Sequence, residues 1–338
     1  MFAELIEKLR GREDLTEGEA SAAMLEIMEG RAAPAQIAGF LVALSMKGER
    51  PAEIVGLART MRTQAVQLSR SFADVFDTCG TGGDRLHTFN VSSLAALTIA
   101  ACGIRVAKHG GRSVSSSSGS ADLFEALGVN VSASPAVVER CLSDVGIAFF
   151  FAPAFHPSMR HAGPTRRELG VRTAFNLLGP LTNPAHVRRQ IVGVSRPEHT
   201  DLLARALGQL GSERAWVVHG ADGLDEISPT GYTKVVEYRD GRLHTFYLHP
   251  TDLGLEPTSI DLLRVSGPEE SVEVAREVLA GAPGPSKDFV VGNAAVGLFI
   301  GEGAPSLAEG ARMAAAAIED GRVRQKLDAL VACSREAE

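Results

Sequence analysis

The sequence has 338 residues, of which 45% are hydrophobic and 22% charged, and its formal net charge is −7. This composition is that of an ordinary globular protein and argues against a fibrous or disordered chain. Because single cores stop growing near ~250–300 residues, the length favours two structural units. A negative charge without a basic cluster argues against a nucleic-acid-binding surface.

The cysteines and the apolar runs bear on the cellular compartment. The sequence shows no secretory leader pattern, and its most apolar runs fall far below the ~20 residues needed to cross a bilayer. The cysteines lie far apart and form no CxxC pair, and they are Cys79, Cys102, Cys141 and Cys333. We therefore expect a reduced, cytoplasmic protein without a membrane role.

Residues 1–70 predict an all-helical N-terminal domain. Residues 16–19 have the spacing of a capping box, Gly30 and Gly48 suit the C-terminal ends of helices, and Pro34 and Pro51 suit first turns. Apolar residues at 37, 40, 41 and 44 have helical spacing. Residues 156–184 also have helical character, and we expect them to pack back on this domain.

Residues 71–338 predict an α/β domain, because short β-branched or aromatic runs alternate with helical stretches. The predicted strands cover 75–78, 104–107, 129–131, 147–151, 190–194 and 216–219, and the predicted helices include 91–102, 120–127 and 135–145. Runs at 234–238 and 242–248 predict a hairpin. The expected fold class is thus α/β, with a small helical domain and a larger domain built on a central, mostly parallel, mixed sheet flanked by helices.

The strongest local signal is Gly-Thr-Gly-Gly-Asp at 80–84, directly after a predicted strand and before a helix that begins near Asn90. Glycines let backbone N–H groups approach an anion closely, and the helix start adds unpaired donors. The loop has neither a Walker ending nor GxGxxG spacing. A tight turn without a ligand is the alternative. The position after a strand favours a phosphate site, because ligand loops of open α/β sheets lie there.

A second loop, residues 108–116, follows the next predicted strand and leads to a helix start near Ser120. It offers a lysine, an arginine, several hydroxyls and free backbone amides, which a pyrophosphate requires. A solvated serine-rich turn is the alternative. Two adjacent loops at one edge of a parallel sheet make a joint ligand site the better interpretation.

A pair of acidic residues, Asp225-Glu226, follows the predicted strand that ends at His219. Adjacent carboxylates on a loop suit Mg²⁺, which keeps several waters and shares phosphate oxygens. Most acidic pairs are solvated surface, so the pair is a weak signal alone. We expect both carboxylates to be exposed.

Taken in order, these motifs resemble the anthranilate phosphoribosyltransferases. The resemblance also includes Arg-Arg-Glu-Leu-Gly-Val-Arg-Thr at 166–173 and Phe-Asn-Leu-Leu-Gly-Pro-Leu-Thr-Asn-Pro at 175–184, and it spans essentially the whole chain. It implies the fold of the pyrimidine nucleoside phosphorylases and a homodimer formed through the helical part. It also implies Mg²⁺-dependent transfer of the phosphoribosyl group of phosphoribosyl pyrophosphate to anthranilate, in tryptophan biosynthesis.

The resemblance further implies roles for single residues. Arg166, Gly80 and Gly111 would face anthranilate, and Lys108 and Arg166 would act electrostatically. Ser92, Asp225 and Glu226 would bind the metal. The residues that would hold phosphoribosyl pyrophosphate are Gly80, Gly83, Asp84, Thr88, Asn90, Val91, Ser92, Ser93, Lys108, His109, Gly110, Gly111, Arg112, Ser113, Val114, Ser115, Ser116 and Ser120.

Position 111 departs from the resemblance, because the family usually has Asn after Lys-His-Gly and this chain has Gly111. The missing amide predicts weaker binding of the acceptor, and the alternative is that Gly111 makes room for a bulkier acceptor. His109 is either an acid/base group or a residue that only supplies its backbone. His156 and His161 are five residues apart, on different helix faces, so we expect no zinc site.

Two other functions remain as alternatives at this point. A pyrimidine nucleoside phosphorylase would share the architecture but use phosphate and a nucleoside. A non-catalytic, nucleic-acid-binding relative would show a basic surface and degenerate loops, which this sequence does not have.

Overall fold

The N-terminal part of the protein contains four helices in a computed structural model that describes residues 1–112 and 118–336. The helices are α1 (Phe2–Arg10), α2 (Glu17–Met28), α3 (Pro34–Lys47) and α4 (Pro51–Thr63). The predicted helix ends are confirmed. Thr16 and Glu19 form the capping box of α2, Pro34 and Pro51 each begin a helix, and Gly48, at φ 91°, ends α3.

A seven-stranded sheet forms the centre of the rest of the chain. The strands are β1 (Val75–Gly80), β2 (Arg105–Gly110), β3 (Ile147–Phe151), β4 (Arg189–Gly193), β5 (Arg214–Gly220), β6 (Thr233–Arg239) and β7 (Arg242–Leu248). Their order is β3-β2-β1-β4-β5-β6-β7. The first five are parallel, and β6 and β7 pair antiparallel. The predicted mixed sheet and its hairpin are therefore confirmed.

Eleven further helices follow α4 in the described part of the chain. They are α5 (Val91–Ala101), α6 (Ser120–Ala126), α7 (Pro135–Arg140), α8 (Ala152–Phe155), α9 (Gly163–Leu169), α10 (Phe175–Leu178), α11 (His199–Gln209), α12 (Pro268–Leu279), α13 (Pro285–Ile300), α14 (Leu307–Glu319) and α15 (Arg322–Arg335). None of the described helices is long and apolar enough to span a membrane.

Two local predictions differ from the structure. The strand predicted at 129–131 is wrong: Val129 and Val131 are buried, but the chain turns there after Gly128, at φ 102°, and pairs with no strand. Their β-branched side chains fill the core instead. The helix predicted over 135–145 is α7 followed by a π-helical turn, Cys141–Val145.

The buried apolar side chains form two clusters. One fills the α/β part around α5, α13 and the strands β1–β3. The other joins the N-terminal helices to Ala162 and Phe175 and to the face of the sheet that carries Val192, Val217 and Val236. Residues from the 156–184 segment therefore share a core with the N-terminal helices.

Candidate active site

A cleft of about 220 Å³ lies where the strand order reverses, at the carboxyl end of β1 between β2 and β4. This is the position where open α/β sheets bind ligands. The glycine loop after β1, the loop after β2 and the acidic pair after β5 all reach it. The sequence-predicted residues that line the cleft are Gly80, Gly83, Asp84, Thr88, Asn90, Val91, Ser92, Lys108, His109, Gly110, Gly111, Ser120, Asp225 and Glu226.

Some predicted site residues are not brought to this cleft. Ser93 is buried in α5, and its Oγ has no hydrogen-bond partner in the described residues. The Arg112 guanidinium turns to α6, where it pairs with Asp122 and Glu125 at 2.8 Å each. Arg166 does not line the cleft. Four predicted residues lie outside the described residues: Ser113, Val114, Ser115 and Ser116.

The glycines of loop 80–84 are required by its geometry. Gly82 and Gly83 have φ of 67° and 86°, a backbone region that residues with a side chain rarely adopt. A β-carbon on Gly80 would lie 2.3 Å from Asp225 Oδ2, and the Gly82 N–H donates to that same oxygen at 2.7 Å. Loop 80–84 is therefore folded directly against the carboxylate of Asp225.

Neither carboxylate of the acidic pair is exposed, so the expectation of exposed carboxylates is wrong. Asp225 is 9% exposed and Glu226 is half-buried. Burial, with the neighbouring charge of Asp84, raises the pKa of Asp225 to about 7. Burial, with the charge of Asp225, raises the pKa of Glu226 well above its ordinary value. The loop after β5 folds back on β4, and this long-range contact removes the pair from water.

The acidic cluster fits a hard divalent cation. Three carboxylates, those of Asp84, Asp225 and Glu226, face the same cleft, and the charge of Asp84 adds to the cost of ionising the other two. In the described residues no group of three His, Cys, Asp or Glu side chains is arranged as a complete metal cage. Mg²⁺ uses one or two carboxylates together with waters and substrate phosphates. The donor set therefore suits a metal that arrives with a phosphorylated substrate.

Lys108, which lines the cleft, and Asp77, on the neighbouring strand β1, form buried hydrogen bonds. The buried Lys108 Nζ donates to the Thr78 carbonyl at 2.6 Å. Asp77 is fully buried and accepts from Asn183 Nδ2 at 2.8 Å and from the His109 N–H at 3.3 Å. These contacts tie β1 and β2 to the segment that ends in Asn183.

His109 is not suited to donate a proton. Its ring centroid lies 5.4 Å from that of His156, and burial lowers the pKa of His109 to about 3 and that of His156 to about 4. Because the Gly179 carbonyl only accepts, the 3.1 Å contact requires the proton of His109 on Nδ1. The alternative in which His109 serves the loop without acid catalysis is favoured.

Arg166 lies on α9 with its guanidinium 4.9 Å from the centre of the Phe175 ring. The side chain is half-buried, and burial lowers the pKa of the guanidinium. Within the part of the chain that the structure describes, no carboxylate pairs with it. A half-buried, unpaired guanidinium is suited to grip a carboxylate ligand.

Three residues that support the site were missed at the sequence level. Gly193 ends β4, and a β-carbon there would lie 1.5 Å from the Asp225 carbonyl oxygen. Asn293 of α13 is buried, accepts from the Ile227 N–H at 3.0 Å and donates to the Ile227 carbonyl at 3.3 Å. The Ser271 hydroxyl donates to Asn90 Oδ1 at 3.0 Å. A polar residue in the apolar helix α13 was the one signal available for Asn293.

Cavity size alone does not identify the site. A larger cavity of about 500 Å³ lies between the α3–α4 connection and α11, and it is lined by none of the sequence-predicted site residues. The chemistry of the lining, and not the volume, distinguishes the smaller cleft.

The fold and the cleft define a two-part glycosyl transferase. Residues 3–65 match the family model described as glycosyl transferase family, helical bundle domain, and residues 73–324 match the glycosyl transferase family, a/b domain. Anthranilate phosphoribosyltransferase from Symbiobacterium thermophilum is 48% identical over 324 residues, which is 96% of this chain and 95% of that protein.

Solved structures give the same result. The enzyme of that name from Thermus thermophilus superposes with a TM-score of 0.91 at 44% identity, covering 98% of this chain and 99% of that one. The Saccharomyces cerevisiae enzyme in complex with PRPP and Mg has a TM-score of 0.90 at 29% identity, covering 98% and 97%. Its complex with 4-fluoroanthranilate has a TM-score of 0.88 at 28% identity, covering 99% and 98%. The chain belongs to the anthranilate phosphoribosyltransferase family.

Proposed function

We propose that this protein transfers the phosphoribosyl group of phosphoribosyl pyrophosphate to the amine of anthranilate, a step in tryptophan biosynthesis. The observation that carries the proposal is the cleft in which two glycine-rich loops meet the acidic pair Asp225 and Glu226. A pyrophosphate donor needs this combination of backbone donors and carboxylates. The family membership favours this reaction over the phosphorylase and nucleic-acid-binding alternatives.

The chemistry needs positioning more than proton transfer. The amine of anthranilate is neutral near pH 7, so the difficult step is cleavage of the bond between the ribose C1 and the pyrophosphate oxygen. The amine nitrogen forms the new bond to C1 as the C1–oxygen bond to pyrophosphate breaks, and it then loses a proton to water. Backbone N–H groups of loop 80–84 and the start of α5 would stabilise the charge that develops on pyrophosphate, together with Lys108.

A magnesium ion, when bound, would neutralise the leaving pyrophosphate. Asp225, Glu226 and Ser92 are the residues of this chain that would hold it. Ser92 is half-exposed in the first turn of α5 and lines the cleft beside the two carboxylates. Hydroxyl and carboxylate oxygens are the hard ligands that Mg²⁺ prefers.

The direct test is to incubate the protein with phosphoribosyl pyrophosphate, Mg²⁺ and anthranilate and to follow the loss of anthranilate fluorescence together with pyrophosphate release. We expect both signals, at equal rates, and neither when the metal is removed with EDTA. Phosphorolysis of thymidine or uridine without turnover of anthranilate would reject the proposal.

Arg166 is the residue that we expect to bind the acceptor carboxylate. Truncating one partner of a desolvated charge pair costs about 2–5 kcal/mol. Arg166→Ala should therefore raise the KM for anthranilate about thirtyfold or more, with little change in the affinity for phosphoribosyl pyrophosphate. Arg167→Ala, the exposed neighbour on α9, is the matched control and should behave as wild type. A loss of donor affinity instead of acceptor affinity would exchange the proposed roles.

Gly111 offers a second test of the acceptor site. A β-carbon on Gly111 would meet nothing within 4 Å, so the backbone there has room for the β-carbon of an Asn. One added neutral hydrogen bond contributes about 0.5–1.5 kcal/mol, and the stiffer loop lowers the entropy cost of ordering. Gly111→Asn should lower the KM for anthranilate by up to about tenfold. Gly111→Ala, which lacks the amide, should fall short of this gain, and a KM that stays equal or rises in Gly111→Asn would contradict the prediction.

We also propose a homodimer formed through the helical part and a cytoplasmic location. Met46, near the end of α3, is 77% exposed and is suited to burial in a contact between two copies. Light scattering of the wild type and of Met46→Glu tests the contact: a wild-type mass of one chain would contradict it.

The proposed cytoplasmic location is in keeping with the cysteines, because all four are free thiols, as a reducing compartment requires.

A further inference from the structure

One short segment reaches both the helical part and the glycine loop. Helix α9, which carries Arg166, ends at Gly170 with φ 62°, and the chain then turns toward the sheet. The Thr173 N–H donates to Asn176 Oδ1 at 2.9 Å, and Phe175 packs in the core shared with the N-terminal helices. The residue in the middle of this turn is Arg172.

Arg172 packs directly on the glycine loop. Its Nη2 donates to the Thr81 carbonyl at 3.1 Å, a contact across 91 residues of sequence. A β-carbon on Gly83 would lie 1.8 Å from Arg172 Nη1 and 2.6 Å from Cζ. The φ of 86° favours glycine at position 83, and a β-carbon there would displace the guanidinium from its place beside the loop. Asp225 contacts the same loop at Gly80 and Gly82.

The guanidinium of Arg172 forms no ion pair with the described residues. Among residues 1–112 and 118–336, no carboxylate lies within salt-bridge distance of the Arg172 guanidinium. By contrast, Arg189 of β4 and Arg214 of β5 each pair with a glutamate. The charges that face it are those of Asp225 and Asp84, and of the cations Arg196 and Arg85. Its positive charge is therefore directed at the loop beside the acidic cluster.

We propose that Arg172 is a positioning residue that holds loop 80–84 in its donor-binding shape and links this loop to the segment that carries Arg166. The proposal rests on the proposed function. Arg172 acts through the Thr81 carbonyl and the Gly83 backbone. Its loss leaves the acceptor arginine in place but releases the loop that supplies the backbone donors for pyrophosphate.

The test compares Arg172→Ala and Arg172→Lys with Arg196→Ala, a neighbouring exposed arginine that has no hydrogen bond or ion pair in the described residues. KM is measured for each substrate, and binding of phosphoribosyl pyrophosphate with Mg²⁺ is measured by calorimetry. A charged hydrogen bond of this kind predicts an increase of about tenfold or more in the donor KM and Kd of Arg172→Ala. The KM for anthranilate should change less than about twofold.

Partial rescue separates positioning from simple folding. Arg172→Lys keeps the charge and one donor for the Thr81 carbonyl, so it should recover part of the donor affinity, and Arg196→Ala should match the wild type. Unchanged donor KM and Kd in Arg172→Ala would overturn the proposal. A fall in melting temperature with both substrates weakened equally, and no rescue by Lys, would overturn it as well. If the wild type consumed no anthranilate, the proposed function would fail, and the calorimetry would still decide the role of Arg172.

Discussion

Replacing Asp225 by Asn and Glu226 by Gln should abolish turnover while the protein stays folded. The amides keep the shape of the carboxylates, and an Asn oxygen at 225 can still accept from the Gly82 N–H. What the double variant loses is the negative charge that holds the metal. We expect turnover to fall by several orders of magnitude at saturating Mg²⁺ and substrates, and normal turnover would reject the metal assignment.

The buried position of Asp225 also predicts how the stability of the protein depends on pH. A carboxyl whose pKa is higher in the folded than in the unfolded state binds its proton more tightly when folded, so ionisation destabilises the fold. For Asp225 the stabilising contribution is full below pH 3.8 and is lost as the pH rises through about 7. The metal-free wild type should therefore melt at a lower temperature at pH 8 than at pH 6, and the double variant should lose part of this dependence.

Added metal and substrate complete this test. Mg²⁺ with phosphoribosyl pyrophosphate should raise the melting temperature of the wild type at pH 8, because a ligand that binds only the folded state stabilises it. The double variant should respond much less. Asp240→Asn, which removes an 86% exposed carboxylate on the hairpin turn, is the matched control and should respond as the wild type does.

Gly193→Ala should inactivate the protein although residue 193 touches no substrate in the proposed reaction. The new β-carbon would lie 1.5 Å from the Asp225 carbonyl oxygen and 2.3 Å from its carbon. Backbone atoms cannot rotate away as a flexible side chain does, so the loop after β5 must move. Overpacking of this kind costs about 1–3 kcal/mol. The displaced Asp225 would also lose its contacts with Gly80 and Gly82.

The measurements for Gly193→Ala are turnover, the Mg²⁺ concentration that gives half-maximal rate, and the melting temperature. We expect the turnover measured at saturating Mg²⁺ to fall at least a hundredfold. This loss corresponds to about 2.7 kcal/mol in the activation free energy. Gly231→Ala is the control, because a β-carbon there meets nothing within 4 Å. Wild-type turnover and metal dependence in Gly193→Ala would show that the site tolerates this displacement.

The parts of the fold that the sequence predicted are those set by local chemistry. The capping box at Thr16, the prolines that begin α3 and α4, and the hairpin turn before Arg242 depend on neighbouring residues alone. The strand predicted at 129–131 failed because a short β-branched run is equally suited to fill a core from a turn. Whether such a run pairs with another strand depends on tertiary contacts that periodicity does not contain.

The site was predicted as a set of motifs but not as an arrangement. Loop position after a strand was enough to bring Gly80, Lys108 and Asp225 to one cleft. Burial of the acidic pair was not predictable, because it depends on the close approach of two backbones at Gly193, far away in sequence. The outward turn of Arg112 likewise depends on Asp122 and Glu125 of α6, which become neighbours only after folding.

Because the N-terminal helices and the sheet share a core, we expect the two matched units to unfold together. Val192, Val217 and Val236 belong to the same buried cluster as Phe40 and Ile54, so separating the two parts would expose apolar surface on both. Separate expression of residues 1–65 would expose that surface to water, at about 25 cal/mol for each Å² of apolar area. We therefore expect the whole protein to melt cooperatively in a single transition. Recombination between relatives should therefore exchange the helical part together with its partner face on the sheet.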